Sequence, residues 1–303
     1  MSKVRLNLRN IIVGAIFLAS FLTLFPCCEK DNWNNNGDNG GNGNNGRIPT
    51  GITAVGSSSS SITISWNAVT DASSYNVWRS DNASGPYVNI KTVYWGTSFD
   101  NSNLAAYTTF YYKVSAGDGP QSSAVSATTF LLAPSGVEAI SETSSSITIS
   151  WENLLNATSY RIHRMENSFD PNPKVFTSST TSFTDTGLPS NVQCHYAVSG
   201  YNNITEGDKS YYVSATTLLK APTGVTAIAN SSSEITITWN AVTDAYFYKV
   251  YRSDNISGPY IEIASYIHGT SYTNNGLSPS TTFYYKVAAH DGEQSEAVSA
   301  TTD

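Results

Sequence analysis

Two stretches of this chain repeat each other and decide its fold. Residues 61–90 read SITISWNAVTDASSYNVWRSDNASGPYVNI, residues 234–263 read EITITWNAVTDAYFYKVYRSDNISGPYIEI, and 21 of the 30 aligned positions are identical. A third copy, SITISWENLLNATSYRIHR, occupies residues 146–164. The tryptophans that mark the same point in each copy are 85 and 88 residues apart (Trp66, Trp151 and Trp239). A period of this length exceeds that of solenoid repeats and predicts three small domains in tandem.

The residue pattern within each copy is that of β-strands. In the first copy Ile62, Ile64 and Trp66 alternate with polar residues, and the same period of two recurs around Val77 and Tyr112. Serine, glycine, proline and asparagine separate these runs, and no stretch of the body shows apolar residues at a period of 3.6. We therefore predict an all-β protein made of antiparallel sandwiches.

Two kinds of turn are predicted between the strands. Asp118-Gly119 and Asp291-Gly292 stand between alternating runs, which predicts type I′ hairpins with positive φ at both residues. SDNASGPY at 80–87 and SDNISGPY at 253–260 are rich in turn residues, and we interpret them as turns rather than as a duplicated ligand loop.

The combined motifs resemble the fibronectin type III domain of the bacterial kind. They include P-x-G-[IV], Y-x-V-x-R-S, S-G-P-Y and T-T-F-Y-Y-K-V, and the resemblance covers Pro49 to Thr302. It implies three tandem immunoglobulin-like sandwiches of seven strands without disulfides. The family usually has a corner tyrosine on its sixth strand, where this chain has Phe110, Cys194 and Phe283, so we expect packing alone to hold the corner. At that place Cys194 is expected to be a buried core thiol.

The N-terminus resembles a bacterial lipoprotein signal. Basic residues precede an apolar run over 11–25, which ends at Cys27 and Cys28. We expect Cys28, or alternatively Cys27, to be lipidated, and the following Glu-Lys-Asp resembles the export tag of Bacteroidetes-type surface lipoproteins. A plain transmembrane anchor is the alternative. The expected location is the bacterial cell envelope, with the protein lipid-anchored to the outer membrane and exposed at the surface.

The asparagine and glycine residues that follow cannot bury apolar surface, so they predict a flexible tether. The predicted organisation is therefore a signal peptide, a tether and three fibronectin type III domains, at residues 1–27, 28–47, 48–129, 130–217 and 218–303. Phe130-Leu131-Leu132 and Leu218-Leu219 join the domains, and we expect these apolar linkers to pack into the neighbouring domains.

Composition excludes some classes of function. The net charge is −7 and no lysine or arginine cluster follows the first few residues, which argues against nucleic acid. Neither G-x-S-x-G, H-E-x-x-H, C-x-x-C nor a glycine-rich phosphate loop occurs. We therefore expect no catalytic activity and no cofactor.

The candidate binding residues are aromatic side chains without an evident structural role. Alternation places Trp78, Tyr111 and Lys113 on one outward face of the first domain, and Trp95 in a loop. Flat aromatic faces can stack on sugar rings, so these residues predict a glycan site. The alternative is that Trp78 only packs over its neighbours.

In the second domain, His163 and His195 replace the outward Trp78 and Tyr111. Two imidazoles on adjacent strands could hold a metal ion or respond to pH, but no third metal ligand is evident, so we predict no metal site and keep both histidines only as candidate ligand-binding residues. Its longer loop at 202–209 is a further place where recognition could occur. Two functions stay open: binding or adhesion to a glycan or surface protein, and a passive stalk or spacer in a surface complex.

Overall fold

The computed structural model describes residues 46–165 and 172–303. Within these ranges the chain forms 22 strands in six antiparallel sheets and no helix, which confirms the predicted all-β class. The described part of the chain accordingly has no helix of the length and apolarity that a membrane span requires. The predicted signal peptide with Cys27 and Cys28, and most of the tether, lie outside the described residues.

The first domain is a sandwich of two sheets. Its seven strands are β1 Thr53–Ser58, β2 Ser61–Ser65, β3 Tyr75–Ser80, β4 Val88–Val93, β5 Ser98–Asn101, β6 Thr109–Ala116 and β7 Val125–Thr128. One sheet has the order β1-β2-β5 and the other β4-β3-β6-β7. The segment 81–87 connects β3 to β4, in agreement with its interpretation as a turn.

The second domain has the same two sheets and one additional strand. Its strands are β8 Glu138–Thr143, β9 Ser146–Ser150, β10 Ser159–Met165, β11 Lys174–Ser178, β12 Ser182–Thr186, β13 Gln193–Tyr201, β14 Glu206–Lys209 and β15 Val213–Thr216. The sheet orders are β12-β9-β8 and β11-β10-β13-β14, and β15 also pairs with β13. The additional strand, β14, comes from the long loop at 202–209.

The third domain repeats the first. Its strands are β16 Thr226–Ser231, β17 Glu234–Thr238, β18 Tyr248–Ser253, β19 Ile261–Ile267, β20 Ser271–Asn275, β21 Thr282–Ala289 and β22 Val298–Thr301. They form sheets of order β16-β17-β20 and β19-β18-β21-β22.

The core of each domain lies between its sheets and follows the predicted alternation. In the first domain Ile62, Ile64, Val77 and Tyr112 are completely buried, and full burial of an Ile or Val side chain contributes about 1.5–3 kcal/mol. The repeated tryptophan packs on a tyrosine ring in all three cores, with centroid distances of 5.3, 5.2 and 5.4 Å (Trp66–Tyr75, Trp151–Tyr160 and Trp239–Tyr248).

The hairpin turn after β6 begins one residue earlier than predicted. The Gly119 N–H donates to the Ala116 carbonyl, so the central residues are Gly117 and Asp118, and of these two only Gly117 has positive φ, at 51°. His290 occupies the same place in the third domain, with φ of 49°. The type I′ prediction is therefore wrong, because Asp-Gly lies after the single left-handed position.

The corner before the sixth strand is held by a hydroxyl group, which corrects the expectation of packing alone. The Thr129 hydroxyl donates to the Ala105 carbonyl at 2.7 Å, and its oxygen accepts the Thr108 N–H at 3.0 Å. Thr217 and Thr302 make the same pair of bonds in the other domains. These threonines end the repeated Val-Ser-Ala-Thr-Thr, so the residue directly after the last strand takes over the usual bonding role of a corner tyrosine.

Each pair of successive domains is joined by the same contact. The Asp208 carboxylate in the second domain accepts the Ser59 N–H of the first domain at 3.1 Å. The Glu293 carboxylate in the third accepts the Ser144 N–H of the second at 2.7 Å. Leu131 and Leu219 are buried beside these contacts, which confirms that these two linker leucines pack into the domains. Specific packing and hydrogen bonds therefore occur at both linkers.

Candidate functional site

The outer face of β3 and β6 brings three of the predicted binding residues together. Trp78 is half-buried, and its indole Nε1 donates to the Ser115 hydroxyl at 3.2 Å. Lys113 lies directly opposite Trp78 in the strand register, and Tyr111 is two residues earlier on the same face of β6. The hydrogen bond fixes the indole in one orientation, so a flat ring is already positioned beside a cation.

The lysine of this face is held over an aromatic ring of the segment that connects β3 to β4. The Lys113 ammonium lies 4.4 Å from the ring centroid of Tyr87, a cation–π contact. In the third domain Lys286 lies 4.8 Å from the Tyr260 ring. Neither lysine takes part in an ion pair within residues 46–165 and 172–303. No sequence spacing indicates this contact, because it joins residues 26 positions apart.

Trp95 lies in the loop between β4 and β5, as predicted, and not on the strands that carry Trp78. Its side chain is 92% exposed, and Tyr94 beside it is also exposed. Gly96, with φ of 92°, supplies the left-handed residue that the bend needs. A large apolar ring with so much exposed area is available for contact with another molecule.

His163 of the second domain is buried, which corrects the expectation that its imidazole faces outward to a ligand. The residue is 3% exposed, and its Nε2 lies 2.8 Å from Glu206 Oε1 and 3.1 Å from the Ser199 hydroxyl. Glu206 also accepts a hydrogen bond from Arg161 at 2.6 Å. The cause is β14, because this additional strand begins at Glu206 and brings that carboxylate to the imidazole.

His195 stays half-exposed and does not lie directly opposite His163. In the strand register His163 faces Ala197, and His195 faces Met165. Among the residues that the structure describes, no group of three or more His, Cys, Asp or Glu side chains is arranged to hold a metal ion. Of the two histidines, only His195 therefore offers its imidazole at the surface.

The Ser199, His163 and Glu206 side chains have the composition of a catalytic triad but not its geometry. Ser199 is completely buried, and its hydroxyl donates to Glu206 at 2.6 Å. Serine and carboxylate both meet the same imidazole nitrogen, whereas His163 Nδ1 has no hydrogen-bond partner in the described chain. A triad needs the acid on one nitrogen and the nucleophile on the other. The cluster is therefore a buried polar network rather than a nucleophile.

We expect acid to destabilise the second domain through His163. Burial, followed by the positive charge of Lys209, lowers the pKa of His163 from 6.5, although the Glu206 charge opposes this shift. As the pH falls below about 6.5, His163 therefore becomes protonated in the unfolded chain but stays neutral in the folded domain. Stability should decrease by up to about 1.4 kcal/mol per pH unit until the folded pKa is reached.

Hydrogen exchange of the second-domain amides at pH 7.5 and 5.5, corrected for intrinsic rates, measures this loss. His163→Gln should remove most of the pH dependence, and His195→Gln, at the half-exposed histidine, should leave it unchanged. An equal loss of protection in wild type and His163→Gln would contradict the assignment.

Comparison with known proteins places the fold and gives relatives for parts of the chain. Residues 220–302 match the family model for the fibronectin type III domain. Exoglucanase B of Cellulomonas fimi is 29% identical over 296 residues, which cover 84% of this chain and 25% of that protein. Poly(3-hydroxybutyrate) depolymerases of Ralstonia pickettii and Delftia acidovorans are 39% and 41% identical, over 27% of this chain and 16% of their own lengths. The chain thus spans a quarter or less of the curated relatives it matches.

Among solved structures, the chicken CNTN1 FN1–FN3 domains are similar to this chain at 17% identity. The match covers 84% of this chain and 98% of that one, with a TM-score of 0.37.

Proposed function

We propose that this chain is a non-catalytic cell-surface lipoprotein whose tandem domains bind a glycan or a surface protein. The observation that carries the proposal is the face formed by Trp78, Tyr111 and Lys113, in which Ser115 fixes the indole beside the lysine. A glycan fits this face best, because sugar C–H surfaces stack on flat rings and a lysine can hydrogen-bond to hydroxyl or carboxylate oxygens. The exposed Trp95 would extend the contact.

The relatives support a role at polymer surfaces. By their names, an exoglucanase and two poly(3-hydroxybutyrate) depolymerases act on polymers, and each is much longer than the region shared with this chain. We therefore propose that the region shared with these relatives holds this chain at a polymer surface. Lipidation of Cys28, or of Cys27, would hold the three domains at the outer membrane, with residues 28–47 as the tether.

A passive spacer is the second candidate, and the joints between domains favour it. The repeated contacts of Asp208 with Ser59 and of Glu293 with Ser144 fix neighbouring domains to each other. A spacer in a surface complex needs joints of this kind but does not need Trp78 or Trp95.

Retention of the full-length chain on immobilised cellulose, xylan, mannan and polygalacturonic acid tests the binding proposal. We expect saturable retention that Trp78→Ala or Trp95→Ala reduces at least tenfold without a change in unfolding midpoint. Trp78→Tyr is the matched control and should largely keep retention, because the third domain has Tyr251 at this position. If no polysaccharide retains the chain, the hypothesis of glycan binding is rejected, and a protein partner or the spacer role is left.

A further inference from the structure

We propose that the third domain carries a second sugar-binding platform, formed by Tyr246, Phe247, Tyr266 and His290, for a neutral glycan. The platform lies apart from the Trp78 face, on loops and strand ends of a different domain. It rests on the proposed function only in the class of ligand, and its residues are otherwise independent of that site.

The four side chains form a row of adjoining rings. Tyr246 stacks on His290, with centroids 5.6 Å apart and planes 10° from parallel. His290 is 4.4 Å from Phe247, and Phe247 is 4.7 Å from Tyr266. The two ends of the row face solvent, since Tyr246 is 79% and Tyr266 71% exposed, whereas the two inner rings are half-buried. Two exposed aromatic rings are thus supported by two partly buried ones.

The row is specific to the third domain and is not inherited from the repeat. The first domain has Ser73 and Ser74 at the positions of Tyr246 and Phe247. It has Gly117 where the third domain has His290, and both residues have left-handed backbone, at φ of 51° and 49°.

Two residues of the platform therefore accept backbone strain. Tyr266 has φ of 55°, a conformation that bulky side chains rarely adopt. Tyr266 and His290 thus each place a ring at a left-handed position, where glycine would be free of strain. Such outliers concentrate at functional sites, where the surrounding structure holds them.

Hydrogen bonds hold two imidazole rings against the backbone of Tyr246, and the nearest lysine in sequence is engaged in ion pairs. The Tyr246 N–H donates to His290 Nε2 at 2.7 Å, and His268 Nδ1 bonds to the Tyr246 carbonyl at 2.9 Å. Lys249, the nearest cation in sequence, is already paired with Asp291 and Glu262. Stacking surfaces with hydroxyl and imidazole edges, beside a lysine already neutralised by two carboxylates, favour a neutral sugar over an acidic one.

The test compares variants of the full-length chain on immobilised cellulose, xylan, mannan and polygalacturonic acid. The double variant Tyr246→Ala/Tyr266→Ala should lose at least tenfold in retention on a neutral polysaccharide. The corresponding double Phe variant keeps both rings and should be retained like wild type. Tyr211→Ala is the control for an exposed tyrosine, because Tyr211 is 96% exposed and enters no ring contact within the described residues.

The outcomes separate this site from the Trp78 face. Unchanged retention of the double Ala variant, together with loss in Trp78→Ala, overturns the platform and leaves the proposed function standing. If the double Ala variant loses retention and Trp78→Ala does not, the platform is supported and the Trp78 face is not a binding site. Retention confined to polygalacturonic acid overturns the neutral class, and no retention of wild type on any polysaccharide overturns both sites.

Discussion

Replacing Asp185 by alanine is expected to lower the free energy of unfolding of the second domain by about 3–5 kcal/mol. Asp185 is buried, and its carboxylate accepts two hydrogen bonds from Arg164, at 2.9 and 3.1 Å, and one from the Tyr196 hydroxyl at 3.0 Å. Burial, and then the charge of Asp185, raises the pKa of Tyr196, so this phenol stays protonated and donates. Alanine would leave the guanidinium and the hydroxyl without their acceptor.

The repeats differ in the groups that surround this arginine. In the third domain Arg252 lies 5.0 Å from the Phe283 ring, and in the first Arg79 lies 5.1 Å from Phe110. The second domain has Cys194 at that position, and Arg164 instead lies 5.6 Å from the centroid of the Phe176 ring. The second domain also has a carboxylate, Asp185, where the sister domains have asparagine, so its arginine is paired with a charge.

The sister domains also provide the matched control. In the third domain the neutral Asn274 accepts hydrogen bonds from both Arg252 and Tyr285, each at 3.1 Å. Asp185→Asn should therefore cost only about 1–1.5 kcal/mol, because both donors keep an acceptor. Urea unfolding followed by second-domain hydrogen exchange would measure both variants. Equal losses for Asn and Ala would show that the charge itself, rather than the acceptor, stabilises the domain.

The strands within a copy could be predicted because the relevant signal is local. Alternation around Ile64 and Val77 depends only on neighbouring residues. The same alternation determines on which face of the sheet Trp78 and Lys113 lie. The burial of His163 could not be predicted in this way. It depends on Glu206, 43 residues further along, and on the loop at 202–209 forming a strand.

The ring row of the third domain was missed for a related reason. Tyr246 and Phe247 end the loop before β18, Tyr266 is near the end of β19 and His290 is in a hairpin turn. No single short window of sequence therefore contains all four residues. Comparison of the copies carries a usable signal, since aromatic residues replace Ser73 and Ser74 of the first domain. Differences between otherwise similar repeats therefore indicate candidate sites better than the shared motif does.

Leu131→Ala is expected to destabilise the second domain by about 2–5 kcal/mol, because it removes a fully packed side chain and leaves a cavity. Leu131 is buried, and its carbonyl accepts the Asp208 N–H at 3.1 Å. A methyl group added at Gly207 would lie 2.8 Å from Leu131 Cβ, so the linker and β14 are in direct contact. The linker is thus part of the domain that follows it.

Leu132 is the matched control, because it is the next residue in the same linker and is 56% exposed. Leu132→Ala should change the free energy of unfolding by no more than about 0.5 kcal/mol. Hydrogen exchange should also show faster exchange of the Ser59 amide in Leu131→Ala, since Asp208, which accepts that N–H, lies on the strand that packs against Leu131. Equal effects of the two substitutions would mean that the linker only tethers the domains, whereas the expected difference would make the joint a cooperative part of the second sandwich.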